Sequence, residues 1–150
     1  MNIKGHNLND ELVVEIGKFT ILWNIFERCE CYYNCNPTSI KNACEHITID
    51  EKKQSKLSEV LNDRCSWFCQ DIYNYVEVSL HPNNARQSTQ EDKTKMVNFL
   101  KQEGTELSQG CLLVIHRVRN NLLHGLKLLE DLNDQLLLFK AINEVLESIE

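Results

Sequence analysis

Apolar residues recur along this chain at helical rather than strand intervals. From Leu8 to about Glu30 they fall at Leu12, Ile16, Phe19, Trp23 and Phe26, which lays one apolar face along a helix. The segment Tyr32-Tyr33-Asn34-Cys35-Asn36-Pro37 should end it, because the residue before a proline is disfavoured in the helical region and asparagine suits a turn. A short helix is expected after Pro37. Between about Asp50 and Leu80 the positions Leu57, Leu61, Phe68, Ile72, Tyr75 and Val76 keep helical spacing, with Asp50 as N-cap, and predict a second long helix. The polar, aperiodic stretch from His81 to Gln90 reads as a loop. Helical pattern resumes from about Gln90 to Lys101, stalls at Gly104, and runs strongly from Thr105 to Leu123, with Gly125 as a C-terminal stop. A closing helix should begin at Asp131 or Asn133, either of which could cap it, and it carries Leu138, Ile142, Val145 and Ile149 on one face. The sum is an all-α bundle of four to six helices.

Composition agrees with that reading. The 150 residues suit one domain, since domains commonly run to roughly 100–150 residues. Glycine (5) and proline (2) are too scarce for a turn-rich sheet fold. No stretch approaches the roughly 18 apolar residues of a membrane span, and Met1-Asn2-Ile3-Lys4-Gly5-His6 lacks the apolar core of a signal peptide, so a cytoplasmic location is expected. The formal net charge of -6 disfavours broad, non-specific attraction to a nucleic-acid backbone, so any RNA contact must be local. Seven cysteines, an odd number without an export signal, argue against a disulfide framework. Four of them lie between Cys29 and Cys44, but their spacing lacks the paired C-x2-C or H-x3-H pattern of zinc sites. They are read as small buried hydrophobes, and no metal or other cofactor is expected.

One segment stands out chemically. His116-Arg117-Val118-Arg119-Asn120-Asn121-Leu122-Leu123-His124-Gly125-Leu126-Lys127 gathers two histidines, two arginines and a lysine within an acidic chain. At about 100° per residue, Cys111, Leu112, Ile115, Val118, Leu122 and Leu123 form an apolar arc with Arg119 near its middle and Arg117 opposite. A guanidinium stays charged below a pH of about 12, so Arg119 must be paired or must open onto a polar cleft or a partner. Glu27, four residues after Trp23 on the apolar face of the first helix, is a candidate counter-charge, and Glu30 is a second. A buried pair that only sets helix register would satisfy the same pattern. His124, just before Gly125, sits where the helix should end, so its imidazole can titrate near neutral pH and serve as a general acid or base.

The run Arg119-Asn120-Asn121-Leu122-Leu123-His124-Gly125 resembles the R-x4-6-H signature of HEPN domains, and among its subtypes R-N-N-L-F-H-G is the nearest. Leu123 stands where that subtype often has an aromatic, and Leu126 with Leu128 and Leu129 where a polar loop is usual. The order of elements is also similar: a long first helix with Trp23, Asn24 and Glu27, then the motif helix, then a closing helix. The resemblance implies a metal-independent endoribonuclease, of toxin or anti-phage and stress-defence type, acting as a homodimer that joins two motif segments in one cleft. It implies catalytic roles for Arg119 and His124. In such a reaction the ribose 2'-hydroxyl, stripped of its proton, attacks the adjacent phosphate and leaves a 2',3'-cyclic phosphate. Arg119 would stabilise charge on the phosphate, His124 would move protons, and Asn120 would orient either group or hold a phosphate oxygen, with Glu27 and Asn121 in support.

Arg117 stands in legal spacing before His124, and only helical phase and the adjacent Asn120 favour Arg119. His116, Arg117 and Lys127 read as rim residues or solvated charges. Two other functions compete with the enzyme: a non-catalytic RNA- or nucleotide-binding or dimerisation module of a defence complex, and a helical bundle that docks a partner protein through Trp67, Phe68 and the tyrosines. A toxin would further imply a neutralising antitoxin or co-encoded partner protein.

Overall fold

The computed structural model describes residues 1–74, 90–123 and 132–150. The first long helix, α1, spans Asp10–Glu30. Asn9 caps it, its side chain accepting the Leu12 N–H at 3.1 Å, and Asp10 and Glu11 put negative charge on the positive end of the helix dipole. Leu12, Phe19, Trp23 and Phe26 form its buried face, as the spacing predicts. The helix closes on a left-handed turn in which Tyr32 (φ 50°) and Tyr33 (φ 67°) stand where glycine is usual, with the Tyr33 N–H on the Glu27 carbonyl at 2.9 Å. Helix α2, Pro37–Ala43, starts with a capping box: Asn36 accepts from the Ser39 N–H and the Ser39 hydroxyl accepts from the Asn36 N–H, both at 2.9 Å.

The long helix expected from Asp50 is two helices among the described residues: α3, Glu51–Arg64, and α4, Ser66–Asn74, broken at Cys65. Asp50 caps α3 as expected, accepting the Lys53 N–H at 2.9 Å. The break is held from outside the helix. The Cys65 thiol donates to the Gln135 side chain at 3.1 Å, while the Asn62 amide reaches the Leu100 carbonyl at 2.9 Å. Helices α5, Gln90–Lys101, and α6, Ser108–Leu123, follow the predicted segments. The last helix, α7, spans Leu136–Glu147 behind a 3-10 turn at Asn133–Gln135. The described residues thus contain seven α-helices where the sequence suggests up to six, the extra one arising at Cys65.

Asn133 does not cap α7. It reaches back to the start of the chain, accepting the Asn9 N–H and donating to the Asn7 carbonyl, both at 2.9 Å. That contact fastens a two-residue hairpin, Asn2–Ile3 against His6–Asn7, whose turn at Lys4 and Gly5 is left-handed at both positions. Asp131, the other expected cap, lies outside the described residues, as do Tyr75, Val76 and the loop expected from His81 to Gln90 except for Gln90 itself, which is the first residue of α5.

Helix α7 packs between α1 and α3, and α6 packs on α5 and α2. Among the described residues the buried apolar side chains form one cluster that runs through all of these helices. The α5–α6 contact is close enough to require glycine, since a Cβ on Gly110 would lie 2.1 Å from the Lys95 carbonyl oxygen. No described helix is long and apolar enough to cross a membrane.

Candidate functional site

Helix α6 enters the bundle fully buried. Cys111, Leu112, Leu113, Val114 and Ile115 are all 3% exposed or less, so the core surrounds it on every side rather than along the single arc the sequence suggests. From His116 onward the helix emerges: Val118 stays buried, but some side chains that the arc would place in the core, Leu122 among them, are half-buried. Arg119 is one of these, at 31% exposure of its side chain. Its guanidinium therefore faces partly into solvent and partly into the bundle.

Two partners hold it. Nη1 donates to the Asn120 side-chain oxygen at 3.2 Å, and Nη2 faces a Glu27 carboxylate oxygen at 4.0 Å. The expected counter-charge is thus Glu27, not Glu30. The other Glu27 oxygen accepts the Cys35 backbone N–H at 3.1 Å, which ties the turn after α1 to the same carboxylate. Glu27 itself is 20% exposed, so the pair is partly screened by water.

His116 belongs to this cluster, although its position in the sequence reads as a rim. Its ring stacks on the Trp23 indole, with centroids 5.8 Å apart and planes 17° from parallel. One ring nitrogen, Nε2, lies 3.5 Å from the Asn120 amide nitrogen, and the ring is also hydrogen-bonded to the Cys35 backbone. The Asn120 amide is oriented by Arg119: its oxygen takes the guanidinium N–H, so its NH2 is turned toward His116 and needs an acceptor there. A neutral imidazole offers one, and an imidazolium does not. Burial lowers the His116 pKa below its ordinary value, the Arg119 charge lowers it further, and Glu27 and the Cys35 hydrogen bond act in the opposite sense. The balance of these effects favours the neutral imidazole. The signal that could have found it is the spacing of His116, Arg119 and Asn120 on one side of a helix, read together with Trp23 and Glu27 four residues apart on another.

The remaining expected residues divide. Arg117 is not a plain solvated charge, since its guanidinium meets Asp71 at 3.0 Å and ties α6 to α4. Asn121 does not join Arg119. It lines a small cavity on another side of α6 with Trp67, Phe68, Val118 and Leu132. Trp67 is half exposed, whereas Phe68 is core. His124, Gly125 and Lys127 lie outside the described residues. The cysteines are mostly buried, as expected, but Cys29 is exposed and Cys44 intermediate. Among the described residues, no three His, Cys, Asp or Glu side chains converge to hold a metal ion.

Chemically, the described cluster offers a cation steadied by an amide, a neutral imidazole within hydrogen-bonding range of that amide, and a carboxylate that balances the charge. Such a set can receive an anionic oxygen at Arg119. Comparison of the chain with protein-family models, with curated proteins and with solved structures finds no match.

Proposed function

We propose that this chain is a metal-independent endoribonuclease whose site is centred on Arg119. The observation that carries the reading is the state of that guanidinium. It is held by Asn120 and faced by Glu27 at 4.0 Å, too far for a tight bidentate pair, and it keeps nearly a third of its side-chain surface in water. A cation placed this way is aligned but not saturated, which is what stabilising charge on a phosphate in the transition state requires. In the reaction a base takes the 2'-hydroxyl proton, the oxygen attacks the phosphate in line, and the leaving 5'-oxygen takes a proton as the cyclic phosphate forms. His124, five residues after Arg119 in the sequence, takes the proton-moving role. Asn120 orients the guanidinium, and Glu27 keeps it over the site.

A homodimer fits the same reading. Val14, Ile21 and Ile25 stand in a row along α1, 67%, 62% and 53% exposed, which is an unusual amount of apolar surface for the outer face of a helix. A second copy is the occupant proposed, and sedimentation of Ile21→Asp with Ile25→Asp should return a monomer.

A non-catalytic RNA-binding module is the second reading. It is favoured by one feature: Arg119, steadied by Asn120 and partly exposed, can receive an anionic oxygen without any group changing protonation. The deciding experiment is cleavage of total cellular RNA in EDTA by folded wild type, Arg119→Ala and His124→Ala. Fragments with 2',3'-cyclic phosphate ends from wild type alone are expected. RNA retention that depends on Arg119, with no cleavage by wild type, would replace the enzyme with the binding module.

A further inference from the structure

Three side chains on the emerging part of α6 are linked in series. Arg119 Nη1 donates to the Asn120 side-chain oxygen at 3.2 Å, and the Asn120 amide nitrogen stands 3.5 Å from His116 Nε2. The first contact dictates the polarity of the second. A guanidinium carries five donors and no acceptor, so only the oxygen of Asn120 can face Arg119, and the NH2 must then face His116. A bond there needs a lone pair on Nε2, which places the ring proton on Nδ1. Stacking on Trp23, at 5.8 Å, holds the ring in this position, and Trp23 is itself 1% exposed and packed against Phe19 and Phe26.

Adding a proton reverses this polarity. An imidazolium donates from both nitrogens and accepts at neither. Its Nε2–H meets the Asn120 NH2, donor against donor, and the conflict is relieved when the amide turns over and brings its oxygen to His116. The turned amide then points its NH2 at Arg119, which loses its acceptor. The other neighbour of the guanidinium is Glu27, whose carboxylate oxygen stands 4.0 Å from Nη2, beyond hydrogen-bonding distance. Released from Asn120, the cation closes on that carboxylate as a tight pair and keeps fewer N–H groups for a ligand. The cluster thus has two self-consistent arrangements, one with Arg119 held open and one with it drawn onto Glu27, and a single proton separates them.

Few charged groups bear on the imidazole. Burial of the ring disfavours its protonation, Arg119 on the same helix acts in the same sense, and Glu27 from α1 acts against them. Helices α2 and α5 also pack on α6, but Lys41 of α2 is exposed and paired with Glu91 of α5 at 3.7 Å. Among the described residues, no charged side chain of either helix acts on the ring. Arg119 and Glu27 are therefore the charges that His116 senses, and Asn120 is the group through which it sets their distance.

We propose that His116 is a positioning residue of the Arg119 site: as a neutral imidazole it fixes Asn120 with its oxygen on Arg119, so that the guanidinium stays open to an RNA phosphate, and a proton on His116 withdraws Arg119 onto Glu27. His116 touches no reacting atom in this scheme and acts only through Asn120. The consequence for RNA rests on the function proposed above, whereas the coupling of His116, Asn120 and Arg119 does not.

The test begins without RNA. In the full, folded chain the His116 ring and the Asn120 side-chain NH2 are followed by NMR from about pH 8 to about pH 5, the range in which an imidazole titrates. The Asn120 signals should move with the same midpoint as the ring, and they should stay still in His116→Gln, whose side-chain oxygen accepts at any pH. Asn120 signals that ignore the imidazole would overturn the coupling. Binding is then measured with an RNA oligonucleotide carrying 2'-O-methyl groups, which keeps the phosphates and lacks the attacking hydroxyl. Wild-type affinity is divided by that of His116→Gln at each pH, which cancels the other titrating groups. The ratio should fall about tenfold as the imidazole takes its proton, the scale of losing one hydrogen bond to a charged group. The sign decides the matter, because an imidazolium acting only as an added positive charge would strengthen the binding of an anion. A ratio that stays flat or rises as pH falls would therefore refute the proposal. At neutral pH His116→Leu, which offers no acceptor, should bind about tenfold more weakly than wild type, and glutamine should recover most of that loss. Equal losses in the two variants would reduce His116 to packing on Trp23. Wild type that binds the oligonucleotide through Arg119 but cleaves no unmodified RNA would sink the nuclease reading alone, and the binding ratio and the Asn120 titration would still judge this proposal.

Discussion

Replacing Glu27 by glutamine takes a charge out of the site while keeping its shape, and the outcome can be worked out from the geometry. Unit charges about 4 Å apart interact by about 4 kcal/mol at an effective dielectric near 20. The Arg119–Glu27 separation is 4.0 Å, but the side chains are 31% and 20% exposed, so solvent removes most of that gross attraction. Exposed pairs retain about 0.2–1 kcal/mol, and this half-buried pair belongs at the top of that range, near 1 kcal/mol. Glutamine still offers an oxygen to the Cys35 N–H, so the hydrogen bond at 3.1 Å survives and only the charge is lost. A double-mutant cycle of Glu27→Gln, Arg119→Gln and the pair, followed by urea unfolding at neutral pH, isolates the coupling. The double variant should be more stable than the sum of the singles predicts by about 1 kcal/mol, and salt should shrink that difference. Additivity to within about 0.3 kcal/mol would refute the argument that Glu27 steadies the Arg119 charge.

Three further outcomes follow from the packing and electrostatics. Gly110→Ala places a Cβ 2.1 Å from the Lys95 carbonyl oxygen and 2.8 Å from its carbon. Backbone cannot rotate away, so α5 and α6 must part at a loss of about 3 kcal/mol, and an unchanged melting temperature would rule out the close contact. The His116 pKa is lowered in the fold, chiefly by burial, so the unfolded chain binds its proton more readily. Its contribution to stability is complete above the unfolded value of about 6.5 and is lost as pH falls through the folded value, with a slope of at most about 1.4 kcal/mol per pH unit. Denaturant titrations across that acid range should show the slope in wild type and a flatter profile in His116→Gln, and matching profiles would contradict the buried neutral imidazole. Asn36→Ala breaks the capping box of α2 and should cost about 1 kcal/mol, measured by the shift in the urea midpoint, with no shift counting against it.

Much of the fold is written in local terms that a sequence carries openly. The run Leu12 to Phe26 makes α1 by its period, Asp50 starts α3 because its carboxylate can take the Lys53 N–H, and Asn36 and Pro37 start α2 by side-chain chemistry and a preset φ. Arg119 was also legible, because a fixed charge among apolar neighbours needs a counter-charge, and Glu27 lay on the apolar face of α1. What stayed hidden depends on which helices meet. The break at Cys65 leaves no trace in the hydrophobic period, since Leu57, Leu61, Phe68 and Ile72 keep phase across it, and it is held by Gln135 from the far end of the chain. Asn133 looks like a cap, but the chain start lies beside it and takes both its donor and its acceptor. His116 reads as a rim residue until α1 lays Trp23 over its ring, and Asn121, adjacent to Asn120, faces a different cavity because one residue turns a helix by about 100°. Period, caps and charge determined the helices and the need for an ion pair at Arg119. Only the packing of α1 against α6 decided which neighbours stand around it, because contacts between distant residues depend on a three-dimensional register that no local spacing encodes.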